Sequence, residues 1–311
     1  MDLSFIIPAY NEELSIGGSI ESIYAFVPDR YAFEIIVVNN DSTDHTAEVA
    51  RAKNAIVIDS DASTIAQLRN IGAKAASGNL LVFVDADVEL TVDWKSNISS
   101  VIKAMQMERY QCIAGSHCVP MLNDHSYLSQ CWFVNIAKNI HSSSIGSAHM
   151  IMNKCYFEEI GCFDEKLNTG EDHEICLRVK KLSGKLLIYE ELKVVHKGYP
   201  STIKEFFKRE VWHGVGDCHS IKSFLSSKVA VISQILLLLS IGAIVALLMG
   251  EWGCSLAILA VILLILVVVI LIKLGKQSAT CLLYNIFVSY IYFVARAISL
   301  YISKSAIKGW K

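Results

Sequence analysis

The sequence predicts an α/β domain with a doubly wound, mostly parallel sheet, followed by C-terminal transmembrane α-helices. Three observations lead to this prediction. Short apolar segments alternate with helical segments in the N-terminal part, polar clusters follow the apolar segments, and long uncharged runs begin at residue 229. Buried strands that alternate with helices are typical of parallel sheets covered on both faces.

Four short apolar segments are predicted to be strands of this sheet. They are rich in β-branched residues, which favour strands. Each is too short for an ordinary helix, and polar residues follow it. The segments are Leu3–Pro8, Phe33–Val38, Ala55–Ile58 and Leu80–Val84.

Helices are predicted between these strands. Asn11 precedes Glu12 and Glu13, the order expected of an N-cap residue before a helix. A second helix is expected after Asp44, and a third runs from the end of the third strand to about Ser77. A further helix is expected over Glu171–Lys181, with an end at Gly184.

Polar residues cluster directly after three of the predicted strands. In open α/β sheets, ligands bind outside the carboxyl ends of the strands. The sequence therefore predicts a ligand site at this edge of the sheet. The clusters are Ala9–Glu12, Asn39–Asp44 and Asp85–Asp87.

Long uncharged runs predict a membrane domain at 226–311, after a catalytic domain at 1–225. The run 229–249 has 21 residues, enough at about 1.5 Å per residue to cross a hydrocarbon core about 30 Å thick. A second run, 254–272, completes a helical hairpin. The third run, 279–302, carries polar residues at helical spacing, so spanning and interfacial placement both stay open.

Charge divides the chain near the same point. Up to Ser227 there are 21 Lys and Arg against 29 Asp and Glu, and after it 7 against 1. An acidic domain argues against nucleic acid as a partner, because nucleic-acid binding requires basic surface. The partners expected instead include membrane lipids.

The start of the chain predicts a cytoplasmic location for the catalytic domain. Met1–Tyr10 lacks the cationic start and the apolar length of a signal peptide. We therefore expect a multi-pass protein of the cell (inner or plasma) membrane. The nine scattered cysteines are expected to be reduced thiols, as is usual in that compartment.

Asp85 and Asp87 form a candidate metal site at the end of the fourth predicted strand. Their alternation directs both carboxylates to one side. Two such carboxylates suit Mg²⁺ or Mn²⁺, although a bare Asp-x-Asp also occurs in helix caps and solvated turns. A cation at this position would neutralise a departing diphosphate, which is the chemistry of nucleotide-sugar transfer.

Four motifs, in this order along the chain, together resemble glycosyltransferase family 2. The resemblance implies the nucleotide-diphospho-sugar transferase fold of the GT-A type and a nucleotide-sugar donor. It covers about 200 residues, so it is more specific than any single motif. The motifs are Phe5–Glu12, Val37–Asp44, Leu68–Gly72 and Thr169–Asp172.

The resemblance also implies roles for individual residues. Asp172, with Glu171 beside it, corresponds to the general base of an inverting transfer, although acids at a helix start also stabilise the helix. His196 corresponds to a further metal ligand, or else is merely hydrogen-bonded. The donor-binding residues implied are Pro8, Ala9, Tyr10, Glu12, Asn40, Asp44, Arg69 and Asp85.

The sequence departs from the family pattern at two places. Asn39, Asn40 and Asp41 stand where the family often has Asp-Asp-Gly, which leaves the nucleotide base open because an amide carries no charge. The segment 208–214 only partly matches the Gln-x-x-Arg-Trp motif of processive synthases. In it, Arg209 is expected to meet phosphate and Trp212 to stack on an acceptor sugar.

These observations favour transfer of a single sugar to a hydroxyl of a lipid-linked saccharide in cell-envelope or exopolysaccharide biosynthesis. A general base such as Asp172 is useful only when the acceptor is a hydroxyl. Two alternatives stay open: a polyprenyl-phosphate sugar synthase, and a catalytically inactive, membrane-tethered nucleotide-binding scaffold. The sequence leaves open the sugar, the nucleotide, the acceptor and the oligomeric state.

Overall fold

The computed structural model describes residues 1–121, 126–138, 144–217 and 221–302. Residues Lys304, Lys308 and Lys311 lie outside this part of the chain. The chain divides into two compact units, which are Met1–Met121 with His141–Gly198, and Leu122–Ile140 with Tyr199–Lys311. These are units of packing, so the end of the catalytic domain at residue 225 stays a prediction.

The first unit contains two sheets. Its strands are β1 Leu3–Ala9, β2 Phe33–Asn40, β3 Ile56–Ser60, β4 Leu80–Val84, β5 Val88–Leu90, β6 Cys112–Gly115, β7 Cys118–Pro120, β8 His149–Asn153, β9 Lys185–Ile188 and β10 Val194–His196. Seven form one sheet in the order β3-β2-β1-β4-β8-β6-β9, and β5-β10-β7 form the other. In the large sheet only β8 runs antiparallel to its neighbours, so the predicted mostly parallel sheet is confirmed.

Helices cover both faces of the large sheet. The chain's helices are α1 Ile16–Phe26, α2 Thr46–Ala52, α3 Ile65–Ala75, α4 Val92–Met107, α5 Val134–Lys138, α6 Lys154–Glu159, α7 Glu171–Lys181, α8 Ile203–Asp217, α9 Ile221–Ser226, α10 Lys228–Leu248, α11 Trp252–Leu274 and α12 Ala279–Ile298. The core on one face includes residues of α1, α2 and α4, and the core on the other includes residues of α3, α6 and α7. This two-sided cover confirms the doubly wound fold.

The predicted cap at Asn11 was wrong. Helix α1 begins only at Ile16, with Ser15 in the capping position. Asn11 instead has a φ of 54°, and its Oδ1 accepts a hydrogen bond from the Thr43 N–H at 2.9 Å. Its side chain therefore joins two loops. Asparagine suits this position because it tolerates a left-handed backbone better than most residues do.

The predicted helix Glu171–Lys181 is confirmed, but Gly184 does not end it in the expected way. The left-handed residue after the helix is Ser183, with a φ of 63°. A Cβ at Gly184 would lie 2.7 Å from the Tyr156 hydroxyl oxygen and 2.9 Å from the Gln111 carbonyl oxygen. Close packing therefore requires glycine at this position.

Within the part of the chain that the structure describes, the second unit contains three helices that are long and apolar enough to cross a membrane: α10, α11 and α12. They cover the runs predicted at 229–249, 254–272 and 279–302, although α12 ends at Ile298. Polar Asn285 and Ser289 on α12 are buried within the protein, as is Tyr292. The polar stripe seen in the sequence therefore faces other parts of this unit.

A disulfide joins Cys131 and Cys281, which are 150 residues apart in the sequence. Cys131 lies in a π-helix, Ser129–Phe133, and Cys281 lies in the first turn of α12. The prediction that all nine cysteines are reduced is therefore wrong for these two. The spacing of these two cysteines in the sequence does not predict a disulfide, because only the packing of α12 on the π-helix brings them together.

Gly72 allows α3 to approach the sheet closely, and this contact gives a test of the fold. A Cβ at Gly72 would lie 2.5 Å from Cγ2 of Ile6 and 3.2 Å from Cγ2 of Val38. We expect Gly72→Ala to lower the melting temperature of the detergent-purified protein, because overpacking costs about 1–3 kcal/mol. The matched control is Gly17→Ala in α1, where the new Cβ makes an ordinary 3.4 Å contact with Val49. Equal melting temperatures for the two variants would contradict this packing.

Candidate active site

The carboxyl ends of β1 and β2 position the first group of predicted donor residues. β1 stays paired with β2 as far as Ala9, but its pairing with β4 ends at Ile6. Pro8 therefore sits beyond the β4 ladder, where its missing N–H removes no bond to that strand. Pro8 and Ala9 are buried, whereas Tyr10 is 38% exposed, so Tyr10 has a side chain available to a ligand.

Asp44 joins the loop after β2 to the loop after β1. Its Oδ2 accepts from the Glu13 N–H at 3.1 Å, and its Oδ1 accepts from the Thr46 N–H at 3.0 Å. Burial alone would raise the pKa of Asp44, but the hydrogen bonds from Thr46 and Glu13 hold it below its usual range. The contacts of Asp44 thus order the loops, and its role toward a donor stays a prediction.

Asn39 and Asn40 end β2 at the same edge of the sheet. Asn40 is half-buried, and its role toward a donor stays a prediction. Asn39 is buried and donates from Nδ2 to Oδ1 of Asp59 at 2.8 Å. Within the described residues, its own Oδ1 is buried without a hydrogen-bond partner. Asn39, noted in the sequence only as a departure from the family pattern, therefore presents an unused acceptor.

The small sheet brings together the three predicted metal ligands. Asp85 and Asp87 lie between β4 and β5, and β10 pairs with β5 so that His196 lies opposite Val88. One ligand atom from each of Asp85, Asp87 and His196 lies within 4.8 Å of the other two. His196 Nδ1 is 3.6 Å from Oδ2 of Asp87. The geometry therefore fits a single divalent cation.

Gly198 shapes this cluster, and the sequence analysis did not identify it. A Cβ at position 198 would overlap Oδ2 of Asp87. The Gly198 N–H also donates to His196 Nδ1 at 3.1 Å. Glycine is therefore required for Asp87 to hold its present position.

Glu12 adds a further carboxylate beside the metal cluster. Burial raises its pKa to about 7, and the charges of Asp87, Asp85 and Asp44 act in the same direction, while a hydrogen bond with Ser15 opposes them. The negative potential that causes this shift would attract a divalent cation. The ligand atoms of Asp85, Asp87 and His196 therefore suit Mg²⁺ or Mn²⁺.

Arg69 connects the metal cluster to helix α7. Its side chain is 1% exposed, and it donates to Oδ1 of Asp85 and to Oε1 of Glu171, each at 2.6 Å. Burial would lower the pKa of Arg69, but the two carboxylates more than offset that effect. Arg69 therefore stays charged and fixes both carboxylates. Its predicted contact with a donor remains untested.

Glu171 and Asp172 begin helix α7 but have different surroundings. Glu171 is buried; burial raises its pKa, and the charge of Arg69 opposes that shift. Asp172 is half-buried, and its Oδ2 accepts from the Ser147 N–H at 3.3 Å. The Ser147 hydroxyl also donates to Oε1 of Glu171 at 3.3 Å. Glu171 is thus engaged by Arg69, while Asp172 is oriented and partly open to solvent.

Arg209 and Trp212 lie on α8, in the second unit. Trp212 is half-buried, with its ring centroid 5.0 Å from that of His213. Arg209 lies over the rings of Phe133 and Tyr199. Their predicted roles toward an acceptor sugar and a phosphate stay predictions.

Comparison with known protein families gives a match over residues 4–146 to the family described as Glycosyl transferase family 2. This segment contains β1 to β4 and the Asp85–Asp87 pair. Residues 4–146 are therefore similar to glycosyltransferase family 2. The resemblance predicted from the sequence motifs is therefore confirmed.

A curated relative supports the same assignment. The chain is 36% identical over 112 residues to 4,4'-diaponeurosporenoate glycosyltransferase of Staphylococcus aureus (strain USA300). That match covers 34% of this chain and 28% of the relative. The activity of the whole relative therefore does not transfer directly to this protein.

Solved structures confirm the fold. Mannosyltransferase PcManGT from Pyrobaculum calidifontis, in complex with GDP-Man and Mn²⁺, is similar over 97% of this chain and 87% of its own, with a TM-score of 0.60 at 17% identity. GalNAc-T7 with UDP, GalNAc and Mn²⁺ is similar over 73% of this chain and 52% of its own, with a TM-score of 0.52 at 18% identity. At such low identities, the similarity establishes the fold alone.

The close approach of Gly198 to Asp87 gives a test of the metal site. We expect Gly198→Ala to weaken Mn²⁺ binding by at least about tenfold, because residues that position metal ligands typically change affinity by this factor or more. Titration of the purified protein with Mn²⁺, followed by the electron paramagnetic resonance signal of the free ion, measures the change. Gly17→Ala is the control and should bind as the unaltered protein does. Unchanged affinity in Gly198→Ala would exclude Asp87 as a ligand.

Proposed function

We propose that this protein transfers a single sugar, with inversion, from a nucleotide-diphospho-sugar to a hydroxyl of a lipid-linked saccharide in cell-envelope or exopolysaccharide biosynthesis. One observation carries the proposal: buried Arg69 binds both Asp85 of the metal cluster and Glu171, the neighbour of Asp172. This arrangement holds a donor-side cation site and a candidate base in one unit. The match of residues 4–146 to glycosyltransferase family 2 supports the reaction class.

The donor side uses the three clustered ligands. Asp85, Asp87 and His196 would hold Mg²⁺ or Mn²⁺. A divalent cation bound there neutralises the charge of the departing nucleoside diphosphate. We favour Mn²⁺, because Mg²⁺ prefers oxygen ligands only and the imidazole of His196 suits a transition metal better. The Mn²⁺ in the PcManGT and GalNAc-T7 structures supports this choice.

Asp172 is the proposed general base. Its Oδ1 accepts from the His173 N–H at 2.7 Å and its Oδ2 from the Ser147 N–H at 3.3 Å, so the carboxylate has a fixed orientation. It would remove the proton of the acceptor hydroxyl as that oxygen attacks the anomeric carbon opposite the leaving nucleotide. Glu171 is a positioning residue in this scheme, because its carboxylate is engaged by Arg69.

The proposed location is the cell membrane, with the catalytic unit on the cytoplasmic side. We propose that α10 and α11 cross the membrane as a hairpin and that α12 lies in the interface. Three contacts join α12 to residues outside the candidate spans. Cys281 is bonded to Cys131, and the ring of Tyr292 contacts that of Trp132. Arg296 donates a hydrogen bond to Glu210. Helix α12 thus packs on the π-helix and α8, which are not candidate spans, as well as on α10 and α11. The Cys131–Cys281 disulfide opposes a cytoplasmic side, because disulfides are rare there.

Impermeant thiol labelling of intact cells tests this topology. We expect Cys254, which is exposed at the start of α11, to react from outside. A cysteine introduced by Tyr301→Cys in a Cys254→Ser background should react only after the cells are permeabilised. Labelling of Tyr301→Cys in intact cells, with Cys254 unreactive, would place the catalytic unit outside, and labelling of both sites would make α12 a spanning helix.

Turnover by the detergent-purified protein tests the reaction. We expect release of nucleoside diphosphate from one donor in a panel of nucleotide sugars, dependent on Mn²⁺ and on added membrane lipid extract. Asp172→Asn should lower kcat by about 10²–10⁴-fold with donor binding retained, because a general base contributes a factor of that size. Asp87→Ala should abolish the metal-dependent turnover, and exposed Asp29→Asn is the control.

Each other outcome points to a different function. A normal rate in Asp172→Asn, with loss in Asp87→Ala, would indicate a phosphate acceptor, as in a polyprenyl-phosphate sugar synthase. Absence of turnover with every donor, together with metal-dependent nucleotide binding, would indicate a scaffold.

A further inference from the structure

The second unit contains basic and aromatic side chains packed around the π-helix Ser129–Phe133. A π-helix is rare and is often found at functional sites. Two neighbouring π-helix residues, Trp132 and Phe133, both contact the ring of Phe206 on α8, at centroid distances of 5.5 and 6.1 Å. We call the following set the basic–aromatic cluster: Trp132, Phe133, Tyr199, Phe206, Arg209, Lys273 and Tyr292.

Arg209 contributes a buried donor to the cluster. Its guanidinium carbon lies 5.1 Å from the ring centroid of Tyr199 and 5.8 Å from that of Phe133. Its Nε donates to Nε2 of His213 at 3.4 Å. Among the described residues, its Nη1 is buried and has no hydrogen-bond partner. Buried donors are almost always satisfied, so an acceptor from outside the chain is expected at Nη1.

Lys273 contributes a second cation. Its Nζ lies 4.0 Å from the ring centroid of Tyr292 and 4.9 Å from that of Trp132. Aromatic faces attract a cation but supply no full negative charge. An anion beside these rings would therefore add an attraction that the aromatic contacts lack.

The acid beside the cluster is already paired. Glu210 is buried, and its Oε2 accepts from Nε of Arg296 at 3.0 Å. Burial would raise the pKa of Glu210, but the charges of Arg296, Lys273 and Arg209 hold it below its usual range. Burial lowers the pKa of His213 to about 3, so this imidazole is neutral near pH 7. Among the described residues, Arg296 thus pairs with Glu210, and Arg209 and Lys273 add two positive charges beyond that pair.

We propose that Arg209 and Lys273 bind the phosphate group of a membrane lipid within the basic–aromatic cluster. A guanidinium and an ammonium together supply the donors that phosphate oxygens accept. Lys273 is the penultimate residue of α11, a candidate span, so its ammonium lies at the depth where lipid head groups are found. The aromatic rings would pack against the first carbons of the lipid chain.

This inference deepens the proposed function and rests on it only for the identification of the lipid as the acceptor. The phosphate contact itself requires neither donor nor metal, so it can be tested without turnover. Failure of binding and failure of catalysis are therefore distinguishable. Inorganic phosphate presents the same oxygens, and the experiment separates this source from a lipid.

Equilibrium binding to the detergent-purified full chain, without metal or nucleotide, is the test. Farnesyl phosphate is the lipid phosphate probe, farnesol lacks the phosphate, and inorganic phosphate lacks the lipid. We expect farnesyl phosphate to bind at least tenfold more tightly than either of the other two. Arg209→Gln should weaken the binding of farnesyl phosphate at least tenfold and leave the binding of farnesol unchanged. Lys204→Gln, an exposed lysine on the same helix, is the matched control and should have no effect.

Arg209→Gln is a suitable variant because it leaves the Arg296–Glu210 pair intact. Lys273→Gln is the second variant and should produce a similar loss; it decides the question if Arg209→Gln does not fold. Equal binding of farnesol and farnesyl phosphate, or unchanged farnesyl phosphate binding in the folded variants, would overturn the proposal. Inorganic phosphate binding as tightly as farnesyl phosphate would overturn the assignment to a lipid.

Discussion

The buried ion pairs of Arg69 are the interaction on which the candidate site depends. One guanidinium, 1% exposed, joins the loop after β4 to the first turn of α7 through Asp85 and Glu171. Removal of one partner from a buried pair costs about 3–5 kcal/mol, because it leaves the other charge uncompensated. The positions of Asp85, a predicted metal ligand, and of Glu171, the neighbour of Asp172, are therefore coupled through a single side chain, and Ser147 adds hydrogen bonds to Glu171 and Asp172.

Much of this architecture follows from local sequence patterns. The four predicted apolar segments correspond to β1 to β4, and the Asp-x-Asp pair lies at the end of β4. The helix predicted over Glu171–Lys181 has these bounds in the structure. Periodicity and strand ends are local properties, so the sequence reveals them directly. The three uncharged runs likewise became α10, α11 and α12.

Non-local contacts were less accessible to prediction. Antiparallel β8, the pairing of β10 with β5 that places His196 beside Asp87, and the Cys131–Cys281 bond each join distant segments. The sequence alone does not distinguish Gly198 from other loop glycines, because its importance depends on the contact with Asp87. Asn11 was misassigned as a cap because its true partner, Thr43, lies on another loop.

A double-mutant cycle between Arg69→Lys and Glu171→Gln tests the central claim that Arg69 couples the metal side and the base side of one active site. The quantity to measure is kcat/KM for Mn²⁺-dependent release of nucleoside diphosphate. Residues in direct contact typically show coupling energies of about 0.5–3 kcal/mol. The account predicts that the double variant loses clearly less activity than the product of the two single losses. Losses that simply multiply would show that the two residues act independently and would contradict it.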